Sequence, residues 1–451
     1  LMIIYKEEKM AAKNKYKVIV AHPSKQHSFY TATALEKSGC LEAYITTIYD
    51  KHGSITNRLK KVLKGKDLLK ASTRSCKDIP ENKVIQFYEF DYLCSIFFNR
   101  FPRFHKLREW HRMYVANKFG KKVVNYIATH PVDAIIMYDS TAYLCFKLLK
   151  ERFPNVVRIL DVSIASRPFM KKNFERDMEL TGTNELYRDF PELWDKKKMH
   201  PFIGEINLTD YFFVPSNVVK NSLVYCGQEE SKISVIPYGV DVEQFNFKGE
   251  HEGTENKANF PLRIIYVGQV TYRKGIHHLL NVIKRFDADK ITLELIGSFD
   301  SNSNLYKNSR DMKNVKFCGF VTRDKLADKY QSSDLFVFPT LGEGFGLVVL
   351  EALGCGVPVL CSTLAGGDDA IEDGINGYKF DPFNEDELYN LINGFLNNRS
   401  ALRRMKIEAH KSAQKYTWDS YYTLLENSFI SCMERNKCKD EDSSCRSHEI
   451  K

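Results

Sequence analysis

Residues Asp334–Ser362 read DLFVFPTLGEGFGLVVLEALGCGVPVLCS. Leu335 to Phe338 is a short apolar run of aromatic and branched residues, which predicts a buried strand. Pro339 has no N–H to give a ladder and ends it. Thr340 to Gly346 is a loop carrying Gly342, Gly344 and Gly346. Leu347 to Leu353 predicts a helix closed by Gly354 and Gly356. Val357 to Cys361 is the next strand. Strand, glycine loop, helix, strand is the repeating unit of a doubly wound α/β domain.

Glu351 stands alone among Leu347, Val348, Val349, Leu350, Ala352 and Leu353. A helix apolar on every side is buried. A buried carboxylate without partners is costly, so Glu351 needs a polar ligand or backbone donors. Glu343 lies eight positions earlier, in the glycine loop. Glycines let a ligand approach the backbone, and the helix start offers free N–H groups suited to a phosphate. Two acids there would repel a phosphate, unless they grip hydroxyls, one on a ribose and one on a sugar.

Glu343-Gly-Phe-Gly-x4-Glu351 followed by Gly356-x-Pro358-Val359 resembles the paired-glutamate signature of family 4 glycosyltransferases, the retaining group 1 class with the GT-B fold. The resemblance implies that Glu343 contacts the transferred sugar and Glu351 the nucleotide ribose. It also implies donor contacts from Gly344, Phe345, Gly346 and Leu347.

Composition fits this frame. The chain has 451 residues, enough for two or three domains. Hydrophobic content of 43% and charged content of 27% are those of a soluble globular protein. Apolar runs long enough for a transmembrane helix are missing. The opening LMIIYKEEKMAAKNKY does not read as a signal peptide. Eleven scattered cysteines, with neither CxxC nor zinc-finger spacing, read as reduced thiols in the cytoplasm. The net charge of +9 points to an acidic partner.

Lys17 to Ala21 predicts the first strand, followed by the loop His22-Pro-Ser-Lys-Gln-His27 and a helix that Ser28 would cap. That loop lies at the carboxyl edge of the sheet, so His22, Lys25, Gln26 and His27 are candidates for a cleft. Two basic stretches follow, Arg58–Lys77 and Phe97–Lys122, the second interleaved with Phe98, Phe101, Phe104, Trp110 and Tyr114. Such segments either lie on anionic membranes or turn their aromatics inward and solvate their charges. Strands are predicted at Val132–Met137, Val156–Leu160, Tyr211–Val214 and Ile233–Ile236. Lys248–Asn259 is polar and aperiodic and reads as a linker.

A second α/β series begins at Arg263. Gly268-Gln269-Val-Thr-Tyr-Arg273-Lys274-Gly275 follows a strand and opens a helix. An Arg fork and a Lys point charge there would neutralise a diphosphate. Charge developing on a leaving diphosphate would be stabilised by these cations, with no metal needed. Asp287-Ala-Asp289 reads as a turn entering a strand, and Asp440-Glu-Asp442 lies in the tail. The resemblance makes Arg273-Lys274-Gly275 the diphosphate site and places the base near Phe317–Val321. It usually has Glu where this chain has Asp369, and a sugar-contacting histidine where this chain runs Asp161-Val-Ser-Ile-Ala-Ser-Arg167. Arg167, Ser163 or a first-loop histidine are the substitutes left open.

The expected fold class is α/β: two facing doubly wound Rossmann-like domains, GT-B, with a C-terminal helix crossing back. The expected divisions are a tail at 1–15, an acceptor-side domain at 16–240, and a linker at 241–261. A nucleotide-sugar domain at 262–415, a cross-over helix at 416–435 and a disordered tail at 436–451 complete them. Catalysis is expected from Glu343, Arg273 and Lys274. Donor contacts are expected from Gly268, Gln269, Val321, Gly344, Phe345, Gly346, Leu347 and Glu351. His22, Gln26, His27 and Arg167 are the amino-terminal cleft candidates. The expected partners are a nucleoside-diphosphate sugar as donor and a glycan or lipid-linked acceptor, with peripheral anionic membrane contact and no nucleic acid. Neither a metal nor another cofactor is expected. The alternative is a non-catalytic protein that binds a sugar nucleotide or an anionic surface.

Overall fold

The structure is a computed structural model and describes residues 15–98, 105–249 and 261–448. Almost all of the expected tail at 1–15 and most of the expected linker lie outside the described residues, as do Arg100, Phe101, Arg103 and Phe104.

Strands β1 (Val18–Ala21), β2 (Leu41–Thr46), β3 (Val84–Gln86), β4 (Ala134–Tyr138), β5 (Val157–Asp161), β6 (Tyr211–Val214) and β7 (Ile233–Val235) form one parallel sheet. Its order is β3-β2-β1-β4-β5-β6-β7. Strands β8 (Leu262–Val267), β9 (Ile291–Ile296), β10 (Val315–Gly319), β11 (Leu335–Phe338), β12 (Val359–Ser362) and β13 (Gly377–Phe380) form a second, in the order β10-β9-β8-β11-β12-β13. Both are doubly wound orders, reversing beside the first strand of each sheet. Strand β1 shows why these strands read as unbroken apolar runs. Val18 and Val20 join one core cluster, and Ile19 and Ala21 the cluster on the other face. A parallel sheet covered on both sides leaves no polar face.

Several elements differ from the sequence reading. Strands β2, β3 and β13 were not anticipated. Strand β3 has three residues and β13 four, short elements whose faces are only partly buried. Ser28 does not cap its helix; it is the first residue of Ser28–Lys37, and its hydroxyl meets that of Tyr44 at 2.9 Å. Gly65, with φ +55°, separates the basic stretch into helices Ile55–Lys60 and Gly65–Ser72. The largest correction is at the carboxyl end. Trp418–His448 is one helix, where disorder was expected from 436 onward. No Pro or Gly interrupts it. It is pinned to the first half by Arg435 donating to Ser231 O and by Lys437 Nζ 5.0 Å from the Tyr16 ring.

The same helix carries out the expected crossing. Trp418 stacks on Tyr30 at 3.4 Å and 3°, and Tyr421 shares a 2.9 Å hydrogen bond with Thr31. Both partners sit on the helix that follows β1. No described helix is long and apolar enough to cross a membrane.

Candidate active site

Each sheet opens a crevice where its order reverses, between β1 and β4 and between β8 and β11. Ligands of doubly wound proteins bind at such carboxyl-edge switch points. The loops Gly268–Gly275 and Pro339–Gly346 leave β8 and β11 there. Their backbones are locked together: Leu341 N donates to Arg273 O at 2.9 Å. Gly275 adopts φ +66°, and a Cβ on it would lie 1.9 Å from Pro339 O, so glycine is required on both counts.

This joint brings the three expected catalytic residues together. Arg273 Nη1 donates to Gly342 O at 2.9 Å and lies 3.4 Å from Glu343 Oε2. Lys274 Nζ pairs with the same oxygen. The three side chains are 15%, 10% and 20% exposed. Burial, then the neighbouring Arg273, push the Lys274 ammonium toward a lower pKa; its contact with the Glu343 carboxylate opposes that. Burial also lowers the Arg273 value. Two partly dehydrated cations thus share one acid, an arrangement in which an anion can be exchanged.

Glu351 sits one turn into the helix Leu347–Gly354 and is buried. That helix is not apolar-packed on all sides as expected, because Leu347 is 37% exposed at its open end. The Glu351 partners are long ones: Tyr330 OH donates at 3.4 Å, and Arg323 Nη2 lies 3.8 Å away. Burial raises its pKa, with Arg323 and Tyr330 pulling the other way. Such a carboxylate retains acceptor capacity. It lines a cavity of about 760 Å³ together with Gln26, His27, Tyr238, Arg323, Leu347 and Trp418. Arg273, Lys274 and Glu343 are not part of that lining.

The other donor-side candidates are spread around this unit. Gly344 is buried against the first half of the molecule, where a Cβ would meet Ser163 O at 1.7 Å. Phe345 places its ring in the core, 5.7 Å from Tyr238 and 6.2 Å from Tyr416. Gly346 precedes the helix in a left-handed conformation. Gln269 is exposed, and its carbonyl accepts from Tyr266 OH at 2.8 Å. Gly268 and Val321 are half-buried.

On the amino-terminal side the candidates separate. His22 does not face the cleft: it is buried, T-shaped against Tyr138, with Ser24 N donating to its Nδ1 at 2.9 Å. Burial lowers its pKa to about 4, so it is neutral. Lys25 turns away to Thr73 O. Arg167 lies over the Phe202 ring at 4.8 Å, and Ser163 donates its hydroxyl to Asp139 at 2.7 Å. His27 does line the cavity. Its Nε2 is 2.9 Å from Asp161 Oδ1, and Tyr238 OH is 3.2 Å from its Nδ1. Of the three substitutes left open near β5, a first-loop histidine is the one at the cavity. Tyr238 and Arg323 were not singled out from the sequence; Tyr238 lay in plain sight within Ile236-Pro-Tyr-Gly.

Asp369 bridges the halves. It accepts from Asn217 N at 2.8 Å and Asn217 Nδ2 at 3.1 Å, at the start of the helix Asn217–Tyr225. Asp287 and Asp289 lie just before β9, at the edge opposite the switch-point loops, where Asp287 pairs with Lys290 at 2.7 Å.

Two facing doubly wound sheets tied by a returning terminal helix define the GT-B architecture. The chain superposes on sucrose-phosphate synthase from Thermosynechococcus elongatus with a TM-score of 0.62 at 17% identity, over 93% of this chain and 100% of that one. Anabaena HepE, solved in complex with UDP-glucose, gives 0.56 at 15% identity, over 92% and 100%. Residues 248–412 match the family model described as glycosyl transferases group 1. Among curated sequences, an uncharacterized glycosyltransferase of Methanocaldococcus jannaschii is 30% identical over 46% of this chain and 55% of its own length. Sulfoquinovosyl transferase of Arabidopsis thaliana is 28% identical over 52% and 47%. The matched part thus spans about half the length of these relatives.

Proposed function

We propose that this chain is a retaining glycosyltransferase of family 4 type. It would move a sugar from a nucleoside-diphosphate sugar to a hydroxyl of a glycan or lipid-linked acceptor. The observation that carries this reading is the convergence of Arg273 and Lys274 on Glu343, on the loop that leads to Glu351. A diphosphate entering at the switch point would take over both cations from Glu343. That carboxylate would then turn to the sugar hydroxyls. Glu351 would accept from the ribose, with Arg323 beside it. The backbone of Gly344 to Leu347 and of Gly268, Gln269 and Val321 would complete the donor site.

Charge grows on the diphosphate as the glycosidic bond breaks, and fixed cations aimed at it lower the barrier. The acceptor hydroxyl would approach from the face that the diphosphate leaves, so configuration is kept without an enzymic nucleophile. His27, held by Asp161, would face the sugar or acceptor from the other half. The chemistry is assigned to the Arg273–Lys274 pair rather than to a divalent metal, because Asp287 and Asp289 sit at the opposite edge of the sheet.

Exposed Leu59 and Val62 lie among the lysines and arginines of the first basic stretch, and exposed Phe97 and Tyr114 lie in the second. They support peripheral contact with an anionic membrane, placed at its cytoplasmic face, which co-sedimentation with anionic vesicles against neutral ones would test. The main test is release of nucleoside diphosphate from UDP-, GDP- and ADP-sugars, with and without glycan acceptors. Turnover with one donor supports the proposal. A ligand-dependent rise in melting temperature without any release supports the non-catalytic alternative instead.

A further inference from the structure

Asp177 lies on the helix Arg167–Thr181 of the first half and is fully buried. His277 and His278 start the helix Ile276–Ile283 of the second half, three and four residues after Lys274. His278 Nε2 is 2.7 Å and His277 Nε2 3.1 Å from the same Asp177 oxygen. The three donor atoms lie within 4.8 Å of one another. Neighbouring residues on a helix point about 100° apart. Here both imidazoles nevertheless aim at one oxygen, with ring centroids 4.1 Å apart.

Two further details concern the cluster's own bonding. Asp177 Oδ2 and His277 Nδ1 are buried and make no hydrogen bond. His278 Nδ1 lies 2.8 Å from Glu385 Oε1, which also accepts from Asn281 Nδ2 at 2.9 Å. The His278 ring therefore stands between two carboxylates. A proton on Nδ1 satisfies Glu385 and leaves the Nε2 lone pair facing Asp177 Oδ1. Two lone pairs repel unless a cation lies between them, either a second proton on the ring or a metal ion. A carboxylate that fixes one nitrogen of a histidine while the other binds metal is the usual outer support of a metal-ligating histidine.

We propose that Asp177, His277 and His278 form a binding site for a first-row transition ion of the zinc class, clasping the two halves of the molecule. Two imidazoles and one carboxylate suit such an ion and leave a fourth position for water. Asp177 and Glu385 together balance its double charge. Metal bonds of about 2.0–2.2 Å require the donors to spread by a few tenths of an ångström from their hydrogen-bonded spacing. The ion would fix the helix that follows Arg273 and Lys274 against the first half. Its role is positional, distinct from the chemistry proposed above.

The test uses the full chain, dialysed against a chelator and then titrated with Zn²⁺ against a chromophoric competitor. One equivalent should bind and raise the melting temperature, and Co²⁺ should give visible d–d absorption. Asp177→Asn and His278→Gln should each weaken Zn²⁺ binding by about tenfold or more, and Glu385→Gln by about 10–100-fold. If a variant does not fold, the wild-type stoichiometry and Co²⁺ spectrum still decide. A wild-type chain that binds no stoichiometric Zn²⁺, or folded variants that bind it equally well, overturns the proposal and leaves a proton-bridged cluster. Sugar transfer is not read in this experiment, so the two proposals fail separately.

Discussion

Gly344 packs so closely on Ser163 that a single added carbon would lie 1.7 Å from the Ser163 carbonyl oxygen. These residues belong to different halves of the molecule, so the glycine loop is also a contact between the two sheets. Ser216 Oγ reinforces it by donating to Gly344 O at 2.6 Å.

Gly344→Ala should therefore act on the apposition of the halves. The backbone clash cannot be relieved by a rotamer change, and overpacking of this kind costs about 1–3 kcal/mol. A lower melting temperature together with lost turnover is expected. An unchanged melting temperature would mean that the halves do not meet here in solution.

Arg273→Ala and Lys274→Ala should each lower turnover on the order of 10²-fold, as for other preorganised groups that meet developing charge. Folding should be disturbed less, since the loop is tied through backbone hydrogen bonds. Wild-type turnover in either variant would remove the diphosphate assignment.

The two glutamates should separate by ligand. Glu351→Gln should weaken free nucleoside diphosphate and nucleotide sugar alike, by roughly 1.5–3 kcal/mol if a full charge-assisted bond is lost. Glu343→Gln should spare the free diphosphate, because it removes the acid that competes for Arg273 and Lys274, yet damage sugar transfer. Titration calorimetry of both variants with both ligands, beside turnover, decides. Equal weakening of the free diphosphate by both would refute the division of labour.

Turnover should not depend on Mg²⁺ or Mn²⁺. Activity abolished by EDTA and restored by either ion would place a metal on the diphosphate and contradict the role given to the Arg–Lys pair.

Asp368 predicts a pH effect. Burial, then the adjacent Asp369, raise its pKa from 3.8 to about 7, and its Oδ1 makes no hydrogen bond. The folded chain keeps a proton that the unfolded chain releases above the usual value. Stability from this group therefore falls as pH rises through that interval and levels off above about 7. Asp368→Asn should flatten the decline in denaturant midpoint between about pH 4 and about pH 7. Parallel profiles for the two proteins would exclude this carboxyl as the source.

What the sequence determined by itself was local and periodic. Strands β6, β9 and β11 end where their apolar runs end, and Ser216, whose hydroxyl suits the position, caps the helix Asn217–Tyr225. The Glu343-x7-Glu351 spacing and the Arg273-Lys274-Gly275 turn could be read from the sequence because each sits within one loop–helix unit, whereas the structure sets Glu351 on the cavity and Glu343 on Arg273 and Lys274. Only the tertiary structure could place residues that are distant along the chain. Asp161 holds His27 across 134 positions, Asn217 meets Asp369 across 152, and Asp177 meets His278 across 101. No spacing rule reaches so far, because these distances are set by the order of strands in two sheets and by how the sheets face each other. The extension of the terminal helix beyond 435 was misread for the same reason. Its charged composition reads as solvated chain, and its anchors, Tyr16 and Ser231, are supplied by the far side of the fold.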